Sequence, residues 1–290
     1  MPSLKEYNVK LTRLRSTRKL TRTMKLVSAN KLRRTQEAEK RLDAFTSRFH
    51  SMLHAIPLAQ MTEPHPLLVP RRNPKHVLLL VITSDRGLCG GFNNALLRET
   101  AAWINLRESR GFNIKISCCG RKAHAFLRNR YAMDRYYDQI VSRPEFTGVR
   151  QISHELISGF LSGRLDEIHV AANRTGSRGE TTPVIEPFLP VPAAEFQPAS
   201  SEAPVRECLI EPGPDALLSA MLPTLMALRL YQVLLSSATG EHGARMRAME
   251  QAGSNADSLI RALSLQRNRA RQAQITTELN EIVAGAEALR

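Results

Sequence analysis

Acidic residues, glycine and proline are all scarce at the start of this chain. The first 34 residues hold eleven Lys or Arg against a single acid, Glu6, and no Gly or Pro occurs from Ser3 to Ile56. Without residues that break or turn a chain, that stretch is expected to be one long helix. Cysteine is also sparse: Cys89, Cys118, Cys119 and Cys208 form no C-x-x-C pair. This excludes a structural zinc site of the usual spacing and a disulfide-dense scaffold. Adjacent Cys118 and Cys119 in a strand would point to opposite faces, as small buried thiols in a reducing cytoplasm. Aromatics make up only 5% of the chain, with one tryptophan, which argues against a base-stacking surface. No apolar run of membrane-spanning length stands out, and no secretory signal is expected. The Arg-rich start continues as a helix and is not read as a transit peptide.

What is abundant is positive charge. The chain carries 41 Lys+Arg against 27 Asp+Glu, a net of +14 over 290 residues. An acidic partner follows: nucleic acid, anionic lipid, or the acidic face of another protein.

The order of elements is legible from periodicity. Ala38, Leu42, Phe45, Phe49, Met52 and Ile56 step by threes and fours, a heptad seam. Upstream, Tyr7, Leu11, Leu14, Met24, Val27 and Lys31 keep that phase, with Arg18 and Thr21 interrupting it. Pro57 ends a helix that would be roughly 80 Å long. From about Asp215 a second long helix is expected. Its seam is Met249, Ala252, Ala256, Leu259, Leu263, Gln266, Ala270 and Ala273, shifting to Ile275, Leu279, Ile282, Ala286 and Leu289. Between them strands and helices alternate. Strands are expected at Val77 to Ile82, around Ile114 to Cys118, at Ile168 to Ala172 and at Thr182 to Val191. Helices are expected at Asn93 to Arg107, capped by Asn93 or Asn94, at Gly120 to Arg130 and at Gln151 to Leu161. The fold class is α/β: an antiparallel coiled coil of N- and C-terminal helices with an inserted Rossmann-like domain and a mostly parallel sheet. The boundaries are residues 1–57, 58–210 and 211–290, with a proline-rich return before the last helix.

One stretch invites a chemical reading. Ser84-Asp85-Arg86-Gly87-Leu88-Cys89-Gly90-Gly91-Phe92-Asn93 follows a strand and precedes a helix, where glycine-rich turns often cradle phosphate. A P-loop requires G-x-x-x-x-G-K-[ST], and Phe92 stands where lysine is needed. The spacing of Gly87, Gly90 and Gly91 also fails the dinucleotide fingerprint. The loop is therefore expected to be a tight turn, its three glycines adopting conformations closed to other residues. Asp85 and Arg86 would pair locally or face a partner.

No catalytic constellation is evident. His50 and His54 share a helix face without the glutamate or third ligand of a zincin. Asp166/Glu167 and Glu278/Glu281 read as surface. No cofactor, metal or catalytic residue is expected. The basic helix leaves two readings open: nonspecific nucleic-acid binding, or a sleeve of acidic protein around a helix charged on several sides.

Three stretches together narrow the choice: S-x-x-x-L-T-R-T-M-K-L-V-S (Ser16 to Ser28), SDRGLCGGFN (Ser84 to Asn93) and NRARQAQITTELNEIVAGAEAL (Asn268 to Leu289). The chain resembles the gamma subunits of F-type ATP synthases over essentially its full length. That resemblance implies a central rotor shaft with its terminal helices inside a ring of three alpha and three beta subunits. It implies an α/β foot on the membrane c-ring beside epsilon, at the cytoplasmic face of a bacterial plasma membrane. It implies no catalysis, no cofactor, no nucleic acid and no membrane insertion. The resemblance also marks Met24 and the stretch from Arg269 through Gln272 and Thr276 to Glu278 as contacts with the alpha/beta hexamer, with Lys25 and Arg245 as further candidates. Departures are Arg267, where the family favours an apolar or aromatic residue, and Gly240 and Gly243. Each of these glycines would cost a helix roughly 1 kcal/mol and loosen it locally.

Overall fold

The protein is described from a computed structural model, which covers residues 3–54, 56, 64–176, 179–191 and 213–287. Cys208, Pro57 and most of the proline-rich return lie outside the described residues. The chain divides into two compact units, one of Met1–Ala29 with Arg245–Arg290 and one of Asn30–Ala244. Two long helices, α1 (Leu4–His54) and α5 (Pro214–Glu287), each contribute to both units.

The larger unit is built on a sheet of β1 (His76–Ile82), β2 (Asn113–Cys119), β3 (Met133–Tyr137), β4 (Glu167–Thr175) and β5 (Thr181–Leu189). The helices α2 (Phe92–Ser109), α3 (Arg121–Leu127) and α4 (Phe146–Leu161) connect its strands. The strand order is β3-β2-β1-β4-β5; the first four run parallel and β5 runs antiparallel to β4. β1 is central, which explains its continuous apolar run: a strand covered on both faces cannot alternate with polar residues. Leu78, Leu80 and Ile82 enter one core with residues of α4 and α5. Val77, Leu79 and Val81 enter the other, with residues of α2 and α3. Cys118 and Cys119 divide between the two cores as their alternation requires. Burial raises both thiols, Cys118 to about 12, so neither is a ready nucleophile.

Sequence periodicity missed β3, whose residues Met-Asp-Arg-Tyr-Tyr are only partly covered. It is an edge strand, and edges need no apolar face pattern. β5 is the other edge, and so it tolerates Pro183 and Pro187 opposite Asn173 and His169. α5 contains an 18-residue window of mean hydropathy 1.4, apolar enough for a membrane span by length and composition. Half of that window is buried, and Leu218, Leu222, Leu225, Met226, Leu230 and Leu234 of α5 belong to the core of this unit.

The expected N-terminal seam holds at Tyr7, Leu11, Leu14, Met24, Ala38, Leu42, Phe49 and Ile56, which are covered, and is corrected at its other positions. Within the larger unit, Leu32, Thr35, Glu39, Leu42, Thr46, Phe49 and Leu53 are covered, whereas Phe45 and Met52 are 55% and 58% exposed. Within the smaller unit, Tyr7, Leu11, Leu14, Thr21, Lys25 and Ser28 are covered and Val27 is exposed; Lys31, in the larger unit, is exposed as well. Thr21, expected to interrupt the seam, is part of it. Hydroxyls can occupy such positions because the helix satisfies them: Thr21 Oγ1 donates to the Arg18 carbonyl at 2.9 Å and Thr46 Oγ1 to the Leu42 carbonyl at 2.6 Å. Hydrophobicity alone could not find a seam with so many polar members.

Both units pair the two helices antiparallel, as expected. In the smaller unit Arg18 Nε meets Asp257 at 2.8 Å, Lys25 Nζ meets Glu250 at 2.6 Å, and Thr21 sits beside Gly253. In the larger unit Gln232 Nε2 donates to Asp43 Oδ1 at 3.0 Å, and Leu42 packs with Leu228 and Leu235. On α5 of the smaller unit the covered positions include Met249, Ala252, Ala256, Ile260, Leu263, Arg267 and Ala270. Leu259 is 52% exposed, so Ile260 takes its expected place. Arg267 is half-buried and donates to Asn268 Oδ1 at 3.1 Å. From Arg271 to Ala284 every residue is exposed, Ala273 included. Among the described residues the second expected seam is therefore uncovered, with Ile275, Leu279 and Ile282 48%, 56% and 67% exposed.

Candidate functional site

The glycine loop closes on itself. The Ser84 amide donates to Asn93 Oδ1 at 3.0 Å, and Asn93 Nδ2 donates to Ser84 Oγ at 2.7 Å. Asn93 Nδ2 also lies 3.2 Å from Cys89 Sγ, and Ser84 Oγ donates to the Arg86 carbonyl at 2.7 Å. Asn93 is thus the buried clasp of the loop, not a helix cap; Gly91 holds the N-cap position. Of the three glycines, only Gly90 has a positive φ, 59°, whereas Gly91 has φ −79° and Gly87 is not in that region. The second left-handed residue is Leu88, with φ 63° and 62% exposure. The expectation for Gly87 and Gly91 fails because the clasp holds the turn with a leucine in the unusual conformation.

Asp85 pairs locally and joins three connections at the C-terminal edge of the sheet. Its Oδ1 accepts from the Arg121 amide at 3.1 Å, and its Oδ2 accepts from Ser142 Oγ. Arg86 is exposed. Nearby, Asp138 accepts from Tyr136 Oη at 2.9 Å, which with Gln139 and Arg121 holds its carboxyl below the usual range.

The topology sets what meets at this edge. From β1 the chain winds through β2 to β3, then returns to place β4 on the other side of β1. Open α/β sheets bind ligands at such a switch point, beyond the carboxyl ends of the strands. Here β4 and α5 make contacts across the switch point. Asn173 Nδ2 donates to the Phe92 carbonyl at 2.9 Å, closing β4 onto the start of α2. Thr175 Oγ1 donates to the Ser236 carbonyl of α5 at 3.0 Å. A Cβ at Gly240 would lie 2.7 Å from Thr175 Oγ1, 2.9 Å from Thr181 Cγ2 and 3.2 Å from Phe92 Cε2. Gly240 is therefore no loose spot: it lets α5 lie directly on the crevice. α5 is one continuous helix through Gly240, Gly243 and Pro223.

Other chemical candidates resolve into structure. Asp166 Oδ2 accepts from the Lys75 and His76 amides, both at 2.9 Å. Glu167 Oε2 joins Arg107 Nη1 at 3.2 Å and His169 Nε2 at 3.0 Å, beside the Trp103 ring. Asp166 and Glu167 are thus organised, not free surface as expected. Burial lowers the His169 imidazole more than Glu167 raises it. Among the described residues no group of three or more His, Cys, Asp and Glu is placed to hold a metal. His50 borders a cleft of the larger unit, and the His54 side chain lies outside what is described.

The helix residues marked by resemblance fall into two groups in the smaller unit. Met24 and Lys25 are half-buried, with Lys25 on Glu250, and Arg245 is only 8% exposed, so most of its surface is already covered within the chain. Arg269, Gln272, Thr276 and Glu278 are fully on the surface. Thr276 Oγ1 donates to the Gln272 carbonyl at 3.0 Å, and Glu278 accepts from Gln274 at 2.9 Å. Because Lys25 pairs with Glu250, residue 272 lies about 33 Å farther along α5, so the two groups form no single site. Exposed Leu20, Leu26 and Val283, at 60%, 64% and 56%, were not singled out from sequence; their signal was an apolar residue off the seam.

Antiparallel pairing of two long terminal helices, together with an α/β sheet inserted between them in sequence, defines the class of fold. Residues 3–289 match the family described as ATP synthase. An ATP synthase gamma chain of Desulfosudis oleivorans is 37% identical over all of both chains, and one of Geobacter sp. strain M21 is likewise 37% identical over all of both. One of Chloroherpeton thalassium is 35% identical over all of this chain and 99% of its own. The chain belongs to the ATP synthase gamma chain family. Among solved structures, the same fold occurs in the rotor of the Euglena gracilis mitochondrial ATP synthase, with TM-score 0.62, 17% identity, and 94% and 98% of the two chains covered. It occurs also in the central stalk/c-ring of the Tetrahymena thermophila mitochondrial enzyme, with TM-score 0.56, 22% identity, and 80% and 99% covered.

Proposed function

We propose that this chain is the central-stalk rotor subunit of an F-type ATP synthase, carrying ion-driven rotation of a c-ring to an alpha/beta hexamer that makes ATP. The full-length match to gamma chains, at 35–37% identity in three relatives, carries this reading. The chain itself contributes mechanics, not chemistry: three alpha and three beta subunits surround one copy, and epsilon and the c-ring join the α/β unit. The complex stands at the cytoplasmic face of a bacterial membrane, with this chain peripheral to it.

A shaft acts by differential binding. Each angle must favour a different conformation of each beta subunit, and only contacts that differ between those conformations shift their populations. The segment from Arg271 to Ala284 suits this role, because every residue around its circumference is exposed. On this reading Arg269, Gln272, Thr276 and Glu278 meet the hexamer. Met24, Lys25 and Arg245 act in part by setting the helix pair.

Reconstitution tests the proposal. The chain is mixed with alpha and beta subunits of the same source, and the isolated complex is assayed for composition and MgATP hydrolysis. One copy per three alpha and three beta, with hydrolysis dependent on this chain, is the expected result. Intact partners and a folded chain that do not assemble would refute it.

A further inference from the structure

We infer that a cleft of the larger unit, walled by β4, β5, α1 and α5, is a binding site for a small amphiphile with one anionic head. The cleft has a volume of about 370 Å³, within the range of about 300–1,000 Å³ that small-molecule sites occupy. Strand alternation shapes its floor: Val170 and Ala172 of β4 and Val184 of β5 face the same side, opposite Leu225 and Val233 of α5. That floor can take an apolar body.

The rim is charged and held in place. Arg174 pairs with Glu186 across the β4–β5 ladder. Arg229 Nη2 donates to the Pro187 carbonyl at 2.9 Å, and its guanidinium lies over the Phe188 ring at 5.7 Å. Gln232 is tied to Asp43 at 3.0 Å. The charges lining the cleft are therefore two guanidiniums against one carboxylate. An anion entering gains attraction from a fork already fixed by its own contacts, so little side-chain entropy remains to be lost. A cation would meet a net positive rim. An occupant would touch both long helices and the sheet, and so would bind the folded unit and not the unfolded chain.

The site stands apart from the crevice closed by Gly240, and the inference does not rest on the rotor reading. It is tested on the purified full-length chain by calorimetric titration with decanoate below its micelle concentration, with decanol and decylammonium in parallel. The expected result is one saturable decanoate site per chain, bound at least tenfold more tightly than either congener. Val184→Trp, which fills the floor without touching the rim, should abolish it while leaving the circular dichroism melt intact. Arg229→Gln should weaken decanoate at least tenfold and leave decanol unchanged. Arg174→Gln, at a side chain 62% exposed, repeats that test without touching the Pro187 bond. Weak multiple binding indifferent to Val184→Trp, or decylammonium binding as well as decanoate, would overturn the inference.

Discussion

Two glycines in α5 should respond to the same substitution with opposite signs. At an unobstructed helix position Gly→Ala stabilises by about 1 kcal/mol, because alanine loses less backbone entropy. Gly253 is close to that case: an added Cβ would sit 3.5 Å from Thr21 Oγ1, an ordinary contact. Gly240 is not. Its Cβ would fall 2.7 Å from Thr175 Oγ1 and 2.9 Å from Thr181 Cγ2, and neither β-branched side chain can swing far. Overpacking of this kind costs about 1–3 kcal/mol. Displacing Thr175 Oγ1 also endangers its bond to the Ser236 carbonyl, worth about 1 kcal/mol. Subtracting the helix gain leaves Gly240→Ala destabilising by about 1–3 kcal/mol, and Gly253→Ala stabilising by up to about 1. The single tryptophan, Trp103, lies on α2 in the larger unit, so urea unfolding followed by its fluorescence reads that unit alone. With m near 2–3 kcal/mol/M, Gly240→Ala should lower the midpoint by roughly 0.3–1.5 M. Helical circular dichroism reads Gly253→Ala. A midpoint raised by Gly240→Ala would refute the argument that α5 sits on the crevice in direct contact.

Burial, with Asp43 adding to it, raises the Glu39 carboxyl, and nearby Thr239 offsets this only in part. Its folded-state stability is therefore full below the unfolded pKa near 4.3 and is lost as pH rises through the folded value. Glu39→Gln should accordingly stabilise the chain at pH 7, with the gain vanishing near pH 4 in denaturation series. His169 is depressed, burial being the main cause, so its contribution is present above about pH 6.5 and lost as pH falls through the folded pKa. An NMR titration should show it neutral at pH 6.5, and a normal midpoint would contradict its placement beside Trp103. Alanine at Gln272, Thr276 or Glu278, all exposed, should change chain stability by less than about 0.5 kcal/mol. The same variants should lower ATP yield per transported ion in the assembled complex, and unchanged coupling for all three would remove them as contacts.

The sequence by itself determined the class of this fold. The absence of Gly and Pro from Ser3 to Ile56 demanded a long helix, and the run at Val77 to Ile82 demanded a strand covered on both faces, because these are local or one-dimensional constraints. The opposite facing of Cys118 and Cys119 followed from the pleat alone. The glycine loop's failure as a P-loop was equally legible, since it depends on one missing lysine. Only the tertiary structure decided the seam of α1, where Thr21, Thr46 and Glu39 are covered while Phe45 and Met52 are not. A polar residue's burial depends on whether a partner satisfies it, and that partner is invisible in a hydropathy pattern. The meaning of Gly240 was hidden for a similar reason. Helix propensity scores it as a weakness, but Thr175, Thr181 and Phe92, distant in sequence, require the missing side chain. The ends of α5 differ by the same logic: apolar Leu225 is core and apolar Leu279 is surface, because only the first lies where the fold supplies something to pack against.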